Sequence, residues 1–224
     1  MMPDAVRVES GNTAMLEHVP QWLGHALRGV RAGTDKLTIA QTTLGSFAEI
    51  VLTSPAFADG ARLPVRFTAD GEGVSPPLLW RDLPAGTGWL ALIVEDADSP
   101  TPQPLVHAVI WGLSVEAGEL TEGAIVADGN GDGARDVGRN SYAREGWLPP
   151  DPPTGHGEHR YAFQLFALDG AAPDPGASPG RTALVAAMTG HVLAAGLLVG
   201  TYSRMEEAPV GRVGAVGMAG GVVA

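Results

Sequence analysis

The sequence predicts a mainly β protein, an antiparallel β-sandwich, from three observations. From Ile50 onward the apolar residues come in short runs, EIVLTS, LPVRF, WLALIVED and LVHAVIWGL, each bounded by Gly, Pro or Asp as strands between turns are. No helical pattern separates these runs, so successive strands are joined without the crossover helices that a parallel sheet requires. The 31 glycines and 18 prolines among 224 residues supply turns in number.

Taken in order, residues 1–13 are polar and unpatterned. Leu16, Val19, Leu23, Ala26 or Leu27, and Val30 then recur at helical spacing, predicting an amphipathic helix from about Pro20 to Arg31 that Gly33 ends. Its apolar stripe needs cover, from the sheet of its own domain or from a second copy in a homodimer. Arg28 and Arg31 are too few basic residues for a helix that lies on a membrane. The four strand runs follow, and residues 114–140 then show no clear element.

The stretch Asp136–Asp169 organises the rest. Pro149, Pro150, Pro152 and Pro153 around Asp151 remove four backbone donors, so this segment is a stiff surface loop. It runs into a strand on which His159, Tyr161, Phe163, Leu165 and Ala167 share one face, and Arg160, Ala162, Gln164, Phe166 and Leu168 the other. Ser178 and Pro179 then read as the start of a helix carrying Leu184, Met188, Val192 and Ala195 on one face, ending near Gly196. A short last strand, LLVGTYSR, precedes a Gly/Val/Ala-rich tail. The expected division is an N-terminal extension over 1–45, a domain over 46–206 and a tail over 207–224.

A formal net charge of −11 repels phosphodiester backbones and no basic cluster offsets it, so nucleic acid is not an expected partner. The absence of cysteine removes disulfides and thiolate chemistry. No stretch of 18 or more apolar residues and no leader-like N-terminus occurs, so the expectation is a cytoplasmic protein without integral membrane association.

Asp128–Gly133 imitates the opening of a calcium loop, but position 12 is Arg139 where a Glu belongs, so a turn is the better reading. His156 and His159 could contribute to a metal site, yet no helix aims both rings, and no metal or cofactor is expected. The Gly-x-Ser-x-Gly elbow, the His-Glu-x-x-His pair and the phosphate-cradling Gly-Lys-Ser/Thr are all absent. What remains is a concentration of Asp96, Asp98, His107, His159 and Tyr161 at strand ends.

These residues sit in segments that resemble the phosphatidylethanolamine-binding protein (PEBP) family, specifically its bacterial Raf-kinase-inhibitor-like branch. Val94-Glu95-Asp96-Ala97-Asp98-Ser99-Pro100, followed by His107, is similar to the family's Asp-Pro-Asp-Ala-Pro motif and sheet histidine. Gly138-Arg139-Asn140, Pro150-Asp151-Pro152-Pro153 and His156-Gly157-Glu158-His159-Arg160-Tyr161 resemble its Gly-x-Asn and Gly-Pro-x-Pro-Pro…His-Arg-Tyr motifs. Ser75–Trp80 and the segments Met188–His191 and Gly200–Arg204 add to the likeness, which covers roughly residues 46–206. The resemblance implies an antiparallel β-sandwich whose small anion pocket is lined by Asp96, His107, His159 and Tyr161, with Asp151 and Pro152 on the loop beside them. It further implies an ion pair between Asp98 and Arg160 on neighbouring pocket walls. The chain departs from the pattern at Ala97, Ala108, Pro149 and Asp151, and the extra carboxylate of Asp151 is expected to weaken anion affinity or shift ligand preference.

The expected function is therefore non-enzymatic binding of a small anionic ligand or of a phospho-group on a protein partner, as in a kinase-inhibitor-like regulator. A carboxylate beside imidazole favours imidazolium, so two cationic rings and the Tyr161 hydroxyl would accept the anion. The rival is a hydrolase or lyase with His107 or His159 as base and Asp96 as orienter.

Overall fold

The computed structural model describes residues 27, 29–128 and 136–204, so most of the helix expected over Pro20–Arg31 and the whole tail lie outside the described residues. The elements resolved among the described residues include β1 (Ala48–Glu49), β2 (Val51–Thr53), β3 (Leu78–Arg81), β4 (Thr87–Asp96), β5 (Leu105–Leu113), β6 (Glu119–Leu120), β7 (Asp136–Val137), β8 (His159–Asp169), α1 (Arg181–Met188) and β9 (Val192–Tyr202). A six-stranded sheet has the order β1-β9-β8-β4-β5-β7 and a three-stranded sheet the order β2-β3-β6. All pairings are antiparallel except that of β1 with β9, so the large sheet is mixed at this edge.

The two faces of β8 carry out the alternation read from sequence. Tyr161, Phe163, Leu165 and Ala167 enter a core shared with Leu52, Leu78, Trp80 and Leu120 of the small sheet, while Phe166 and Leu168 pack with Leu184 and Met188 of α1. Fully burying one such Leu or Phe side chain contributes about 1.5–3 kcal/mol, which fixes the register of the central strands.

Three sequence expectations change. LPVRF is no strand: Val65–Phe67 is a single 3-10 turn. Leu63 and Phe67 are buried while Val65 is 49% exposed. A strand would have put all three on one face, and Pro64 withholds a ladder donor. The C-terminal helix is capped at Gly180 and ends at Met188, where Gly190 with φ +83 turns the chain. Val192, Ala195 and Gly196 therefore belong to β9, which pairs with β8 from Val192 to Tyr202. Gly196 and Gly200 are close-approach residues: an added Cβ would lie 2.8 Å from the Ile50 carbonyl oxygen at one and 2.4 Å from Leu63 Cδ2 at the other. Finally, residues 114–140 do hold β6 and β7, each two residues long and too short to read.

Candidate functional site

Strand pairing assembles the site. Asp96 ends β4 opposite Tyr161 on β8, and His159 starts β8 two residues earlier on the same face. On the other side of β4 the register slips, with Val94 opposite Ala108 and Glu95 opposite Val106, so His107 is the extra residue of a β-bulge. A bulge re-aims the side chain it carries, here bringing the His107 ring to 5.1 Å from that of Tyr161 in an edge-on arrangement. The proline-stiffened loop docks on the same residue. Leu148 N–H donates to the His107 carbonyl at 2.8 Å, and His107 Nδ1 meets the Leu148 carbonyl at 2.6 Å.

Asp96, His107, His159 and Tyr161 are all buried. Asp96 Oδ1 accepts the Asp98 amide at 2.8 Å, and its Oδ2 lies 2.7 Å from His159 Nδ1. On the far side of that ring, His159 Nε2 lies 2.6 Å from Nδ1 of the buried His156. His156 Nε2 in turn faces the backbone carbonyls of Leu27 at 2.8 Å and Val30 at 3.2 Å. The two rings that sequence spacing offered as metal ligands thus hydrogen-bond each other.

Carbonyl oxygens only accept, so the proton positions follow. His107 carries its proton on Nδ1, and its Nε2 is a buried lone pair in the neutral ring. Burial pushes His107 below the ordinary imidazole value, and the opposing charge of Asp96 does not cancel this. The expected second cationic ring is therefore a neutral one near pH 7. Burial, and then the charge of Asp96, raises Tyr161 well above the ordinary phenol value, so it stays a hydroxyl donor. Among the described residues, His107 Nε2 and Tyr161 Oη are buried polar atoms without a hydrogen-bond partner.

Asp98 is held from three directions. Arg160 Nε and Nη2 reach its two carboxylate oxygens at 2.7 and 2.8 Å, and the Arg160 amide donates at 2.9 Å. Arg31 Nη1 is 2.8 Å away. Burial raises Asp98, but the hydrogen bonds from Arg160 and Arg31 outweigh it and bring the carboxyl down to about 2.

Asp151 stands apart from this chain of rings. Its carboxylate pairs with Arg204, whose guanidinium also holds Asp70 at 2.7 Å and lies 3.5 Å from the Pro152 carbonyl oxygen. The extra negative charge on the loop is thus compensated by an arginine. Sequence reasoning passed over the roles of Arg204, Arg31 and His156, which include contacts spanning 127–134 residues: Arg31 to Glu158, His156 to Leu27 and Arg204 to Asp70. Only the neighbouring motif hinted at His156.

A bulged sheet histidine facing a tyrosine, with a buried Asp–His pair at the adjoining strand ends, defines a small polar site at one end of a β-rich binding fold. The family model described as phosphatidylethanolamine-binding protein matches residues 53–203. A UPF0098 protein of Methanothermobacter thermautotrophicus is 40% identical over 154 residues, which are 68% of this chain and 98% of that one. The candidate lipoprotein LppC of Mycobacterium tuberculosis is 38% identical over 168 residues, 74% of this chain and 78% of its own length. Among solved structures, the candidate PEBP homologue CT736 of Chlamydia trachomatis superposes with a TM-score of 0.62 at 34% identity, covering 70% of this chain and 98% of that one. YbcL of E. coli, described as a new member of the mammalian PEBP family, gives a TM-score of 0.64 at 24% identity, covering 70% and 99%. The chain belongs to the phosphatidylethanolamine-binding protein family. Among the described residues no helix is long and apolar enough to cross a membrane.

Proposed function

We propose that the protein is a non-enzymatic binding protein for a small phosphate- or carboxylate-bearing group, free or carried by a partner, held among Asp96, His107, His159 and Tyr161. The observation that carries the reading is the pair of buried, unpartnered atoms on adjoining faces, His107 Nε2 as acceptor and Tyr161 Oη as donor. Leaving such groups unmet costs about 1–3 kcal/mol each, a cost that a ligand presenting both an acceptor and a proton relieves. Hydrogen phosphate presents both. No nucleophile activated by a base lies among these four side chains.

The same geometry sets the proton balance. A dianion beside neutral His107 raises that ring's pKa, so binding takes up a proton and strengthens as the pH falls from about 8 to 6. Calorimetric titration with inorganic phosphate, phosphoethanolamine and acetate, in two buffers of different ionisation enthalpy, measures both affinity and proton uptake. Asp96→Ala should weaken phosphate binding at pH 7 by about tenfold although it removes a negative charge, because His159 loses its orienting partner. Tighter binding in that variant, or no proton uptake, overturns the reading. Steady ester hydrolysis that disappears in His159→Ala would replace it with acid–base catalysis.

A further inference from the structure

Leu27 and the segment 29–33 are fastened to the turn after Asp96 and to the segment that leads into His159. Ala32 and Gly33 N–H groups donate to the carbonyls of Ser99 and Ala97 at 3.0 and 2.8 Å. Arg31 Nη1 reaches the Glu158 carbonyl at 2.8 Å and the Asp98 carboxylate at 2.8 Å. The Leu27 and Val30 carbonyls face His156 Nε2. Every one of these anchors belongs to Asp96–Ser99 or to His156–Arg160, the segments that carry Asp96 and His159 of the proposed site.

Counting protons shows what the contact does. His156 Nε2 must carry a hydrogen, because it faces only carbonyls. One hydrogen lies between His156 and His159 and one between His159 and Asp96, making three over the chain Asp96–His159–His156. His156, neutral with its proton on Nε2, therefore accepts at Nδ1 from His159. It also occupies His159 Nε2, the ring nitrogen not taken by Asp96. A proton added at His156 Nδ1 sets two N–H groups against each other across 2.6 Å, and the His156–His159 bond cannot survive it.

We infer that Leu27 and the segment 29–33 form an intramolecular latch that shares His159 with the anion through His156, closed while His156 is neutral and released when it is protonated. The inference rests on the binding reading for its anion half only. The charged groups around His156 among the described residues are His159 on β8, Asp96 and Asp98 at the end of β4 and the following turn, Arg31 on the latch, and Glu158 and Arg160 beside it. Burial, then the charge of His159, lowers His156 from 6.5. The closed form is therefore kept above that value and weakened as the pH falls through it, where the released ring ionises more readily. An anion arriving at His159 Nε2 favours the same release, so acid and ligand act in one direction.

Amide exchange of Ala32 and Gly33 in the full chain reads the latch directly. With no anion present, protection corrected for intrinsic exchange should fall about tenfold between roughly pH 7.5 and 5.5. In His156→Gln, which keeps an amide donor for the carbonyls and cannot titrate, that fall should vanish. A flat profile in the native chain, or the same fall in His156→Gln, overturns the latch. Inorganic phosphate at pH 7 should lower protection of the same two amides, and Arg31→Ala should tighten phosphate binding by about three- to tenfold. Phosphate that binds and leaves both amides protected also overturns it. Acid-dependent release without any phosphate binding would support the proton latch and sink the anion pocket instead.

Discussion

Glu95 and Asp96 are neighbours on β4, yet the two faces of the sheet complete their carboxylates in different ways. On one face Glu95 accepts the Thr38 amide at 2.7 Å, Gln164 Nε2 at 2.8 Å and Arg181 Nε, while Gln164 Oε1 takes the Ile39 amide at 2.7 Å. Arg181 further donates to the Lys36 carbonyl at 3.0 Å. Here a buried charge is paired and every connection ties the Lys36–Ile39 segment and α1 to the sheet. On the other face Asp96 is equally buried, but the cluster it joins ends in two unmet atoms and two hydrogen-bonded imidazole rings. Equal burial with unequal satisfaction separates an anchor from a site.

The comparison breaks most severely if the anchor is cut. Arg181→Met leaves Glu95 buried without its cation, and such an orphaned charge costs about 3–5 kcal/mol. Urea unfolding should show that loss, whereas phosphate affinity of the folded fraction should stay within about twofold. An Arg181→Met protein of native stability would mean that Glu95 is no anchor.

Tyr161→Phe tests the opposite face with the opposite sign. Removing a buried hydroxyl that has no partner should leave stability unchanged or raise it by up to about 1 kcal/mol. Phosphate affinity should drop about tenfold, equivalent to about 1.4 kcal/mol. If the variant is instead destabilised by more than about 1 kcal/mol, the hydroxyl belongs to the core.

How far the sequence spoke follows the same division. β4, β5 and β8 were legible because their apolar residues are long runs or alternate with period two, and the residues at their ends, Asp96, His107, His159 and Tyr161, were legible with them. β9 was not, since Val192–Gly200 is apolar on both faces and such a run suits a buried strand or a helix alike. Local patterns also cannot announce pairings between distant segments, so the Glu95–Arg181 anchor, the Asp151–Arg204 pair and the His156 contact with Leu27 had no signal. The bulge at His107 was equally silent, because it exists only in the register between two strands.

The Asp98–Arg160 pair lies between anchor and site, with Asp98 1% exposed and Arg160 46%. A double-mutant cycle should give a coupling of roughly 1 kcal/mol, small because one partner is solvated. A coupling near zero would reject the lock between the Asp96 loop and β8. The Asp98 carboxyl is depressed to about 2 from 3.8, so its contribution is complete above pH 4 and is lost as the pH falls towards 2. Acid unfolding of Asp98→Asn should accordingly be flatter over that interval than that of the native chain.

The smallest effect is expected at Asp151, where two influences oppose each other. Removing its charge in Asp151→Asn takes a carboxylate away from an incoming anion, and by itself this tightens binding. The same charge also raises the pKa of His107, as the last and weakest of the influences on that ring, so its loss makes the ring harder to protonate and weakens binding. Arg204 moderates both, because it already compensates Asp151 and keeps Asp70 as a second partner through contacts of 2.7–3.0 Å. Because the two influences oppose each other and Arg204 compensates the charge, phosphate affinity at pH 7 should change by less than about threefold. Proton uptake on binding should change more than affinity does, since the His107 influence enters it alone. A tenfold tightening with unchanged proton uptake would show that Asp151 repels the ligand directly, and would move the anion from the rings towards the proline loop.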